Sequence, residues 1–551
     1  MVSNKMRLLP LLVLAATALP QLMAADPVRY WIKLKDKKGT PYSISRPTEF
    51  LGMAAIERRV RYNIAVDETD LPVTPEYIQT IENVQNVRVL YASRWLNGVV
   101  IQVDSLPLAA SALGIIKGFS FVEGNKQVQR YQISEGTPDL TYNAPPPSMQ
   151  LREQQSTSST TLSAYNYGGS GAQIRQLQLD CLHEKGYRGQ GMTIAVLDAG
   201  FRFVNTNPVF DSLRAQNGIL GTRDFVAGDN DVYKDNTGTH GTMVLSCLAA
   251  NKPGAIHGTA PKANYWLLTT EAPKEYLTEE YNWIRGAEFA DSVGVDLLTT
   301  SLGYTEFDDP AMNHIYVNLN GRIAPMSIAA TMAARKGILV LNAAGNERAN
   351  PWHFISVPSD ADSIIAVGAI DSLYREAAFS GVGPTSDGRI KPEFVAIGAG
   401  AWVSQTYNET FPANGTSFST PILAGAVACF WQANKKLTNM DILRELKYRG
   451  HNAAAPNNSI GWGVPLLCEE GAYGFNVYFN KDLQVLEIVY IKDFSEGSVE
   501  LIDMRGRSAY KATINVGDRK FLISTTDIAD GVYIVRIKTQ NATYSRKILK
   551  N

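Results

Sequence analysis

Short apolar runs that alternate with helical stretches constrain the fold of this chain more than any other feature. The run at 193–197, Thr-Ile-Ala-Val-Leu, is apolar almost throughout, which is typical of a strand buried on both faces of a sheet. Four further runs of this kind lie at 265–268, 297–300, 338–341 and 364–367. Helical periodicity separates them, for example over 281–293 and 328–336. This order predicts a parallel sheet with helices on both faces, an α/β domain that spans residues 172–470.

A smaller α+β unit is predicted before this domain, over residues 26–131. Helical spacing at 50–64 is followed by two alternating runs, 87–90 and 99–103, which the turn dipeptide Asn97-Gly98 joins. No residue of this unit forms a recognisable catalytic pattern.

The segments on either side of this unit have the composition of export and linker sequences. Residues 1–25 combine a basic start, an apolar run at 8–19 and small residues near the end, a pattern typical of a secretory signal peptide. Residues 132–171 are rich in Pro, Ser, Thr, Gln and Gly, which predicts an exposed linker that proteases cut readily.

The C-terminal 472–551 segment changes to strands alone. Alternating runs are separated by turns such as Met504-Arg505-Gly506 and Ala529-Asp530-Gly531. This spacing predicts a small β-sandwich.

Charge and cysteine content exclude several classes of function. The chain has 52 basic and 53 acidic residues, a net charge of -1, so no overall charge favours nucleic acid as a partner. The four cysteines include no Cys-x-x-Cys pair, which argues against a zinc ribbon or a thioredoxin-like site. An exported chain can form disulfides, and four cysteines allow three pairings. Cys247 and Cys429 lie in apolar helical runs and are interpreted as buried thiols.

A tight turn that opens into an apolar helix carries the strongest candidate for chemistry. Gly415-Thr416-Ser417 precedes a run that is apolar from Ile422 to Trp431. The pattern predicts Ser417 at or near the helix N-cap, and Pro421 within the helix start, where a missing N–H costs little. A serine there can act as a nucleophile, and the free N–H groups can hold an oxyanion. An ordinary capping serine is the simpler interpretation of the turn taken alone.

Three further polar residues follow predicted strands or precede a predicted helix. Asp198 ends the strand at 193–197, where ligands and catalytic groups gather in open parallel sheets. His240, between glycines that allow another segment to approach closely, could serve as general base. Asn346 follows the strand at 338–341 and could donate its amide to an oxyanion. Each residue alone also fits a structural role in a turn or in the core.

The combination is more specific than its parts, because Asp, His, Asn and Ser in this order on a parallel sheet follow the order of subtilisin. Residues 172–470 resemble the catalytic domain of subtilisin-like serine proteases. The segments that carry this resemblance are Ala-Val-Leu-Asp-Ala-Gly at 195–200, Gly-Thr-His-Gly-Thr at 238–242, Gly-Thr-Ala-Pro at 258–261, Ser-Leu-Gly at 301–303, Ala-Ala-Gly-Asn at 343–346 and Gly-Thr-Ser-Phe-Ser-Thr-Pro at 415–421.

The resemblance implies a subtilisin-like doubly wound fold and a set of functional residues. It implies a triad of Asp198, His240 and Ser417, and an oxyanion hole of Asn346 and the Ser417 N–H. The residues that it implies in substrate binding are Ser301, Leu302, Gly303, Ala344 and Gly345. One departure is Ala199, where the family usually has Ser or Thr, so a hydroxyl contact to the Asp198 carboxylate is expected to be missing.

The flanking units resemble parts of the same kind of precursor. Residues 26–131 look like a subtilase propeptide, which implies a folding aid and inhibitor, and residues 472–551 look like the C-terminal sorting domain of type IX secretion substrates. The expected function is therefore a secreted serine endopeptidase that acts on polypeptides without a cofactor and reaches the cell surface or the medium. The alternative is a catalytically inactive subtilase fold that serves as a surface binding protein.

Two other possibilities are weaker. The acidic loop with Asp229, Asp231 and Asp235 does not match an EF-hand, so we assign no metal site, although structural calcium is compatible with the family. Gly189-Gln190-Gly191 precedes a strand instead of following one, which rejects a dinucleotide-binding fingerprint.

Overall fold

The computed structural model describes residues 27–130, 165–234, 238–272, 274–407, 409–468, 475–480, 484–490, 496–515, 520–540 and 543–550. The predicted signal peptide, most of the predicted linker and Asp235 lie outside these residues. No helix among the described residues is both long enough and apolar enough to cross a bilayer.

The N-terminal unit is a four-stranded antiparallel sheet with helices. Its elements are β1 Val28–Leu34, α1 Met53–Tyr62, α2 Pro75–Glu82, β2 Val87–Ser93, β3 Gly98–Val103, α3 Leu106–Lys117 and β4 Val122–Arg130. The strand order is β2-β3-β1-β4. One face packs on α2 and α3 around a core that includes Ile32, Ile81 and Ile116. The other face covers the central domain, where Trp31 lies 4.9 Å from Tyr281 between ring centres. The predicted α+β unit is present.

The central domain is built on a seven-stranded parallel sheet. Its strands are β5 Thr193–Asp198, β6 Ile219–Asp224, β9 Asn264–Thr269, β10 Leu297–Thr300, β11 Leu339–Ala343, β12 Ile365–Ile370 and β13 Phe394–Ile397, with the short strands β7 Asn251–Lys252, β8 Ile256–His257, β14 Ala401–Val403 and β15 Phe411–Ala413 outside it. The order is β13-β12-β11-β10-β5-β9-β6. The five predicted strands are its centre, and the two that the sequence missed, β6 and β13, are its edges.

Helices cover both faces of this sheet, as the alternating pattern predicts. They are α4 Gly171–Gln176, α5 Leu179–Glu184, α6 Asp211–Ala215, α7 His240–Ala249, α8 Thr278–Val293, α9 Pro325–Arg335, α10 Thr416–Ala433 and α11 Asn439–Arg449. One core cluster joins α7 and α10 to one face, and a second joins α8 and α9 to the other. The doubly wound, subtilisin-like fold class is confirmed.

The structure differs from the prediction at the C-terminal end of the predicted exposed linker. Within 165–171, Tyr167, Ser170 and Gly171 are buried, whereas Asn166, Gly168 and Gly169 are exposed. The Ser170 hydroxyl donates to the carbonyl of His257 at 2.9 Å and accepts from the His257 N–H at 2.8 Å. The Gly-rich sequence suggested flexibility, but here the small residues allow close packing.

The C-terminal unit consists of two antiparallel sheets. Its strands are β16 Phe475–Asn480, β17 Val485–Tyr490, β18 Glu496–Asp503, β19 Ser508–Asn515, β20 Lys520–Ser524, β21 Gly531–Thr539 and β22 Thr543–Lys550. One sheet has the order β16-β17-β20 and the other β19-β18-β21-β22. Both contribute to one core, which includes Ile488, Ile523 and Val535. This arrangement matches the predicted β-sandwich.

One disulfide closes the central domain. Cys181 in α5 and Cys468 are bonded across 287 residues of sequence. Cys247 and Cys429 are free and buried, as their apolar helical surroundings predict. Within the described residues the structure therefore forms a single disulfide, which ties the two ends of this domain together, instead of any of the three pairings that use all four cysteines.

Candidate active site

Neighbouring central strands bring several predicted site residues together at their carboxyl ends. In β10, Thr300 lies opposite Leu197 of β5 and Asn342 of β11. Asp198 and Ser301, each one residue further along its strand, therefore leave the sheet side by side. Parallel strands end at the same edge, which is where sites form in open α/β sheets.

Asp198 and His240 form a hydrogen-bonded pair in which His240 is partly exposed. His240 Nδ1 lies 2.8 Å from Asp198 Oδ1, and the Asp198 side chain is fully buried. Because a carboxylate only accepts, Nδ1 carries the proton and Nε2 of the neutral ring is an acceptor. Burial lowers the pKa of His240, but the charge and hydrogen bond of Asp198 outweigh burial, and the pKa is raised above 6.5. The ring can therefore accept a proton readily.

A glycine permits this close arrangement. A Cβ added to Gly241 would lie 2.4 Å from the Gly200 carbonyl oxygen and 3.0 Å from Asp198 Cβ. The helix α7, which His240 begins, can approach the end of β5 only because residue 241 has no side chain. The prediction that flanking glycines allow close approach is confirmed at this position.

With alanine at position 199, where the family usually has Ser or Thr, one carboxylate oxygen of Asp198 lacks a hydrogen bond to any described residue. Oδ1 accepts from the Ala199 N–H at 2.8 Å as well as from His240. Oδ2 is buried and has no hydrogen-bond partner within the described part of the chain. The expectation of a missing hydroxyl contact fits this unpaired oxygen.

Ser417 lies at the start of α10, two residues after the N-cap. Gly415 is the N-cap residue with φ 153°, a value that suits glycine, and Ser417 is the second helical residue. Its Oγ donates to the Ser301 carbonyl at 3.1 Å. Ser417 thus lies beside the strand end that neighbours Asp198, with the first N–H groups of a helix of 18 residues around it.

Pro421 corrects one expectation. It is the sixth residue of α10, inside the helix, so the Ser417 carbonyl loses the N–H that a regular helix would supply. The Ser301 hydroxyl donates to this carbonyl at 2.7 Å instead. Ser301 and Ser417 therefore exchange two hydrogen bonds, and the hydroxyl of Ser301 has a function that the sequence did not indicate.

Asn346 is oriented by Thr416, a residue that sequence reasoning missed. The Thr416 N–H and hydroxyl lie 2.9 and 3.1 Å from Asn346 Oδ1. Since Oδ1 accepts these hydrogen bonds, the amide orientation is fixed and Nδ2 remains as a donor. Thr416 Oγ1 also accepts from the Gly345 N–H at 3.2 Å, which joins the two segments.

The predicted substrate-binding segments lie next to each other. Ser301 and Leu302 are buried, whereas Gly303 is exposed. A Cβ added to Gly303 would lie 2.0 Å from Ser356 Oγ, and one added to Gly345 would lie 2.9 Å from it. Ser356 is buried between the two segments, so it limits the space between them.

The other candidate groups have structural contacts. His257, the competing histidine, is buried, its Nδ1 lies 3.0 Å from the Gly258 carbonyl oxygen, and burial lowers its pKa. Asp229 pairs with Lys234 at the surface. Among the described residues, no group of three or more His, Cys, Asp or Glu side chains is placed to hold a metal ion.

Comparisons with known protein families match three parts of the chain. Residues 189–463 match the Subtilase family, residues 29–139 match the Peptidase S8 propeptide domain of Bacteroidota, and residues 477–551 match the Secretion system C-terminal sorting domain.

Several subtilisins are similar to this chain. Subtilisin NAT of Bacillus subtilis subsp. natto is 29% identical over 304 residues, which are 54% of this chain and 70% of that protein. Subtilisin Savinase of Lederbergia lenta is 29% identical over 287 residues, 52% of this chain and 92% of that protein. A solved structure, the crystal structure of MycP1 with the N-terminal propeptide removed, is 20% identical with a TM-score of 0.43 over 54% of this chain and 94% of that chain.

The Subtilase family match and the similar subtilisins define a serine peptidase, a hydrolase that acts on peptide bonds. The chain belongs to the subtilase family, with a propeptide before the peptidase domain and a secretion sorting domain after it. The sorting domain indicates export, to the cell surface or the medium. Neither the fold nor the comparisons favour the inactive alternative.

Proposed function

We propose that Asp198, His240 and Ser417 are the catalytic triad of a secreted endopeptidase. The observation that carries this proposal is the hydrogen bond of 2.8 Å between buried Asp198 and His240. It lies at the carboxyl ends of the strands, where Ser417 contacts Ser301. His240 Nε2 takes the proton of the Ser417 hydroxyl as Oγ attacks the substrate carbonyl. Attack requires this hydroxyl proton to turn from the Ser301 carbonyl to His240.

The charge that forms on the substrate oxygen is held by two donors. In this proposal Asn346 Nδ2 and the Ser417 N–H form the oxyanion hole, which is supported by the hydrogen bond that orients the Asn346 amide and by the position of Ser417 at the start of α10. His240 then returns the proton to the leaving amine, and water resolves the acyl-enzyme by the same route. These side chains supply nucleophile, base and oxyanion donors, so the proposed steps need no cofactor.

The substrate is a polypeptide bound through its backbone. Segment 301–303 contacts Ser417 through Ser301, and segment 344–345 contacts the neighbouring Thr416 through Gly345. Exposed Gly303 leaves backbone groups accessible to an extended chain. Such backbone pairing suits cleavage within a chain, because it does not depend on a free terminus.

The flanking units have separate roles in this proposal. The N-terminal unit assists folding and inhibits the peptidase until it is removed, and the sorting domain engages the type IX secretion machinery. The sheet of the N-terminal unit covers α8, where the Thr278 hydroxyl donates to the Val128 carbonyl at 3.2 Å. The net charge of -1 gives no reason to propose a nucleic acid partner.

The test uses a peptide blocked at both ends, cleaved by the enzyme after removal of the propeptide. Wild-type protein is expected to cut within the peptide. Asn346→Ala should lower kcat about a hundred- to a thousandfold with little change in KM, because the lost donor acts mainly in the transition state. Uncut peptide that nevertheless binds to folded mature protein would support the binding-protein alternative instead.

A further inference from the structure

Residues 36–74 form an arm that leaves the sheet of the N-terminal unit and reaches the central domain by itself. The arm lies between β1 and α2 and contains α1. At its tip the Gly52 N–H donates to the Ser292 carbonyl at 2.9 Å, near the end of α8. Further along, Tyr62 stacks on Trp431 in α10, with 6.2 Å between ring centres. The contact with Trp431 lies on α10, a different helix from α8, which the sheet face covers.

Arg58 of the arm joins the ends of two helices of the peptidase domain. Its guanidinium donates to the carbonyl of Val295, just after α8, and to the carbonyl of Lys336 at 3.1 Å, just after α9. It also pairs with the carboxylate of Asp291 in α8. Helix C-termini carry unpaired carbonyls and partial negative charge, so a buried cation is favourable there.

Arg59 continues the same network with a forked contact. Its Nη2 lies 2.6 Å from Asp70 of the arm and 3.0 Å from Asp291, while Nη1 lies 3.1 Å from Asp291. Lys336 of the peptidase domain completes it with 3.0 Å to Asp70 Oδ2. Arg59 and Asp291 are 1% and 0% exposed, so the pair is removed from water.

Asp291 is the point where the arm and the sheet converge. Arg94, at the turn between β2 and β3, donates to Asp291 at 3.0 Å and to the Glu288 carbonyl at 2.9 Å. Burial raises the pKa of Asp291, but the guanidiniums of Arg58, Arg59 and Arg94 outweigh burial and lower it. Three cations of the propeptide thus share one carboxylate of the peptidase domain.

Removal of part of such a network is costly, because each remaining charge stays buried without its partner. We propose that the arm is a second docking point that keeps the propeptide on the peptidase domain after the chain between them has been cut. Active enzyme then appears only when the arm is released or degraded. The part of this inference that concerns activity rests on the proposed peptidase function, whereas the docking itself does not.

The test uses the full chain with Ser417→Ala, which prevents self-cleavage, and a specific protease sequence placed within residues 132–164. After the cut, dissociation of the propeptide is followed by size-exclusion chromatography and by its rate on dilution. Arg58→Ala with Arg59→Ala removes the network from the propeptide side. Arg61→Ala is the matched control, because Arg61 lies on the same helix and is exposed.

The double variant is expected to dissociate at least about a hundredfold faster than the parent, and Arg61→Ala within about twofold of it. If the double variant fails to fold, Arg59→Lys takes its place, since lysine keeps the charge but not the fork, and about tenfold is expected. A folded variant that dissociates at the rate of Arg61→Ala would overturn the inference.

A second readout uses the chain with intact Ser417. After the cut, the lag before peptide hydrolysis should shorten in the double variant in proportion to its faster dissociation. If no variant hydrolyses peptide, the proposed function fails, while the dissociation rates of the Ser417→Ala chains still decide the docking.

Discussion

The exchange of hydrogen bonds between Ser301 and Ser417 gives a quantitative prediction. Pro421 cannot donate to the Ser417 carbonyl, and the Ser301 hydroxyl donates to it at 2.7 Å in a place where both serines are buried. Ser301→Ala removes the donor and leaves a buried carbonyl without this partner. The expected loss of unfolding free energy is about 1–3 kcal/mol.

Because the Ser301 hydroxyl replaces the N–H that Pro421 lacks, the loss of unfolding free energy should depend on Pro421. In a Pro421→Ala background, residue 421 regains an N–H, and the helix can serve the Ser417 carbonyl itself. Ser301→Ala should then cost about 1 kcal/mol less than in the presence of proline. The double-mutant cycle therefore gives a coupling energy of about 1 kcal/mol between two residues that differ in chemistry and lie 120 positions apart, at 301 and 421.

Guanidinium unfolding of the four chains measures this coupling. All four carry Ser417→Ala to prevent autolysis, a change that keeps the carbonyl in question, and tryptophan fluorescence follows the peptidase domain. Equal costs of Ser301→Ala in both backgrounds would refute the account of why this hydroxyl is needed.

Three further predictions concern the disulfide and the Asp198–His240 pair. Replacement of Cys181 and Cys468 by serine should cost about 5–6 kcal/mol, because the bond closes a loop of 287 residues, and a reduced melting temperature that matches that of dithiothreitol-treated protein would check it. Neutral His240 is the proposed base, and its pKa is raised above 6.5. As the pH is lowered, kcat/KM should therefore start to decrease while the pH is still above 6.5, because His240 becomes protonated. Asp198→Asn should shift this decrease to lower pH. Ala199→Ser should give the unpaired Asp198 Oδ2 a donor and raise stability by about 1 kcal/mol, whereas an unchanged unfolding midpoint would show that this oxygen needs none.

Strand periodicity predicted the centre of the sheet but not its edges. Runs such as 193–197 and 338–341 are apolar because both faces of these strands are covered, and this signal is unambiguous. The edge strand β6 includes Thr222 and Arg223, because one side meets solvent, and β13 has only four residues. Strand β6 therefore lacks the continuous apolar run on which the prediction depended. Strand β13, Phe-Val-Ala-Ile, is such a run and is as long as β10, so its signal was present in the sequence and was overlooked.

The candidate site shows a similar division. Asp198, His240 and Asn346 could be found because they follow strand ends or stand between glycines, which are local features. The orientation of Asn346 by Thr416 depends on contacts 70 residues apart, and no local pattern announces them. Pro421 did carry a usable signal, since a proline six residues into a helix predicts an unpaired carbonyl and a donor nearby.

The buried charges of the interface were also beyond the sequence. Arg58, Arg59 and Asp291 each look like solvated helix residues, because charged side chains are rarely buried. They are buried only because two units of the chain meet there, and their pairing spans more than 230 residues.

Covalent labelling tests the central claim that Ser417 is an activated nucleophile. Protein freed of its propeptide is treated with a fluorophosphonate, and the adduct is located by peptide mass mapping beside a Ser417→Ala control. The account predicts one adduct on Ser417 that is absent from the control. Mature, folded protein that stays unlabelled, or that carries the adduct on another residue, would contradict it.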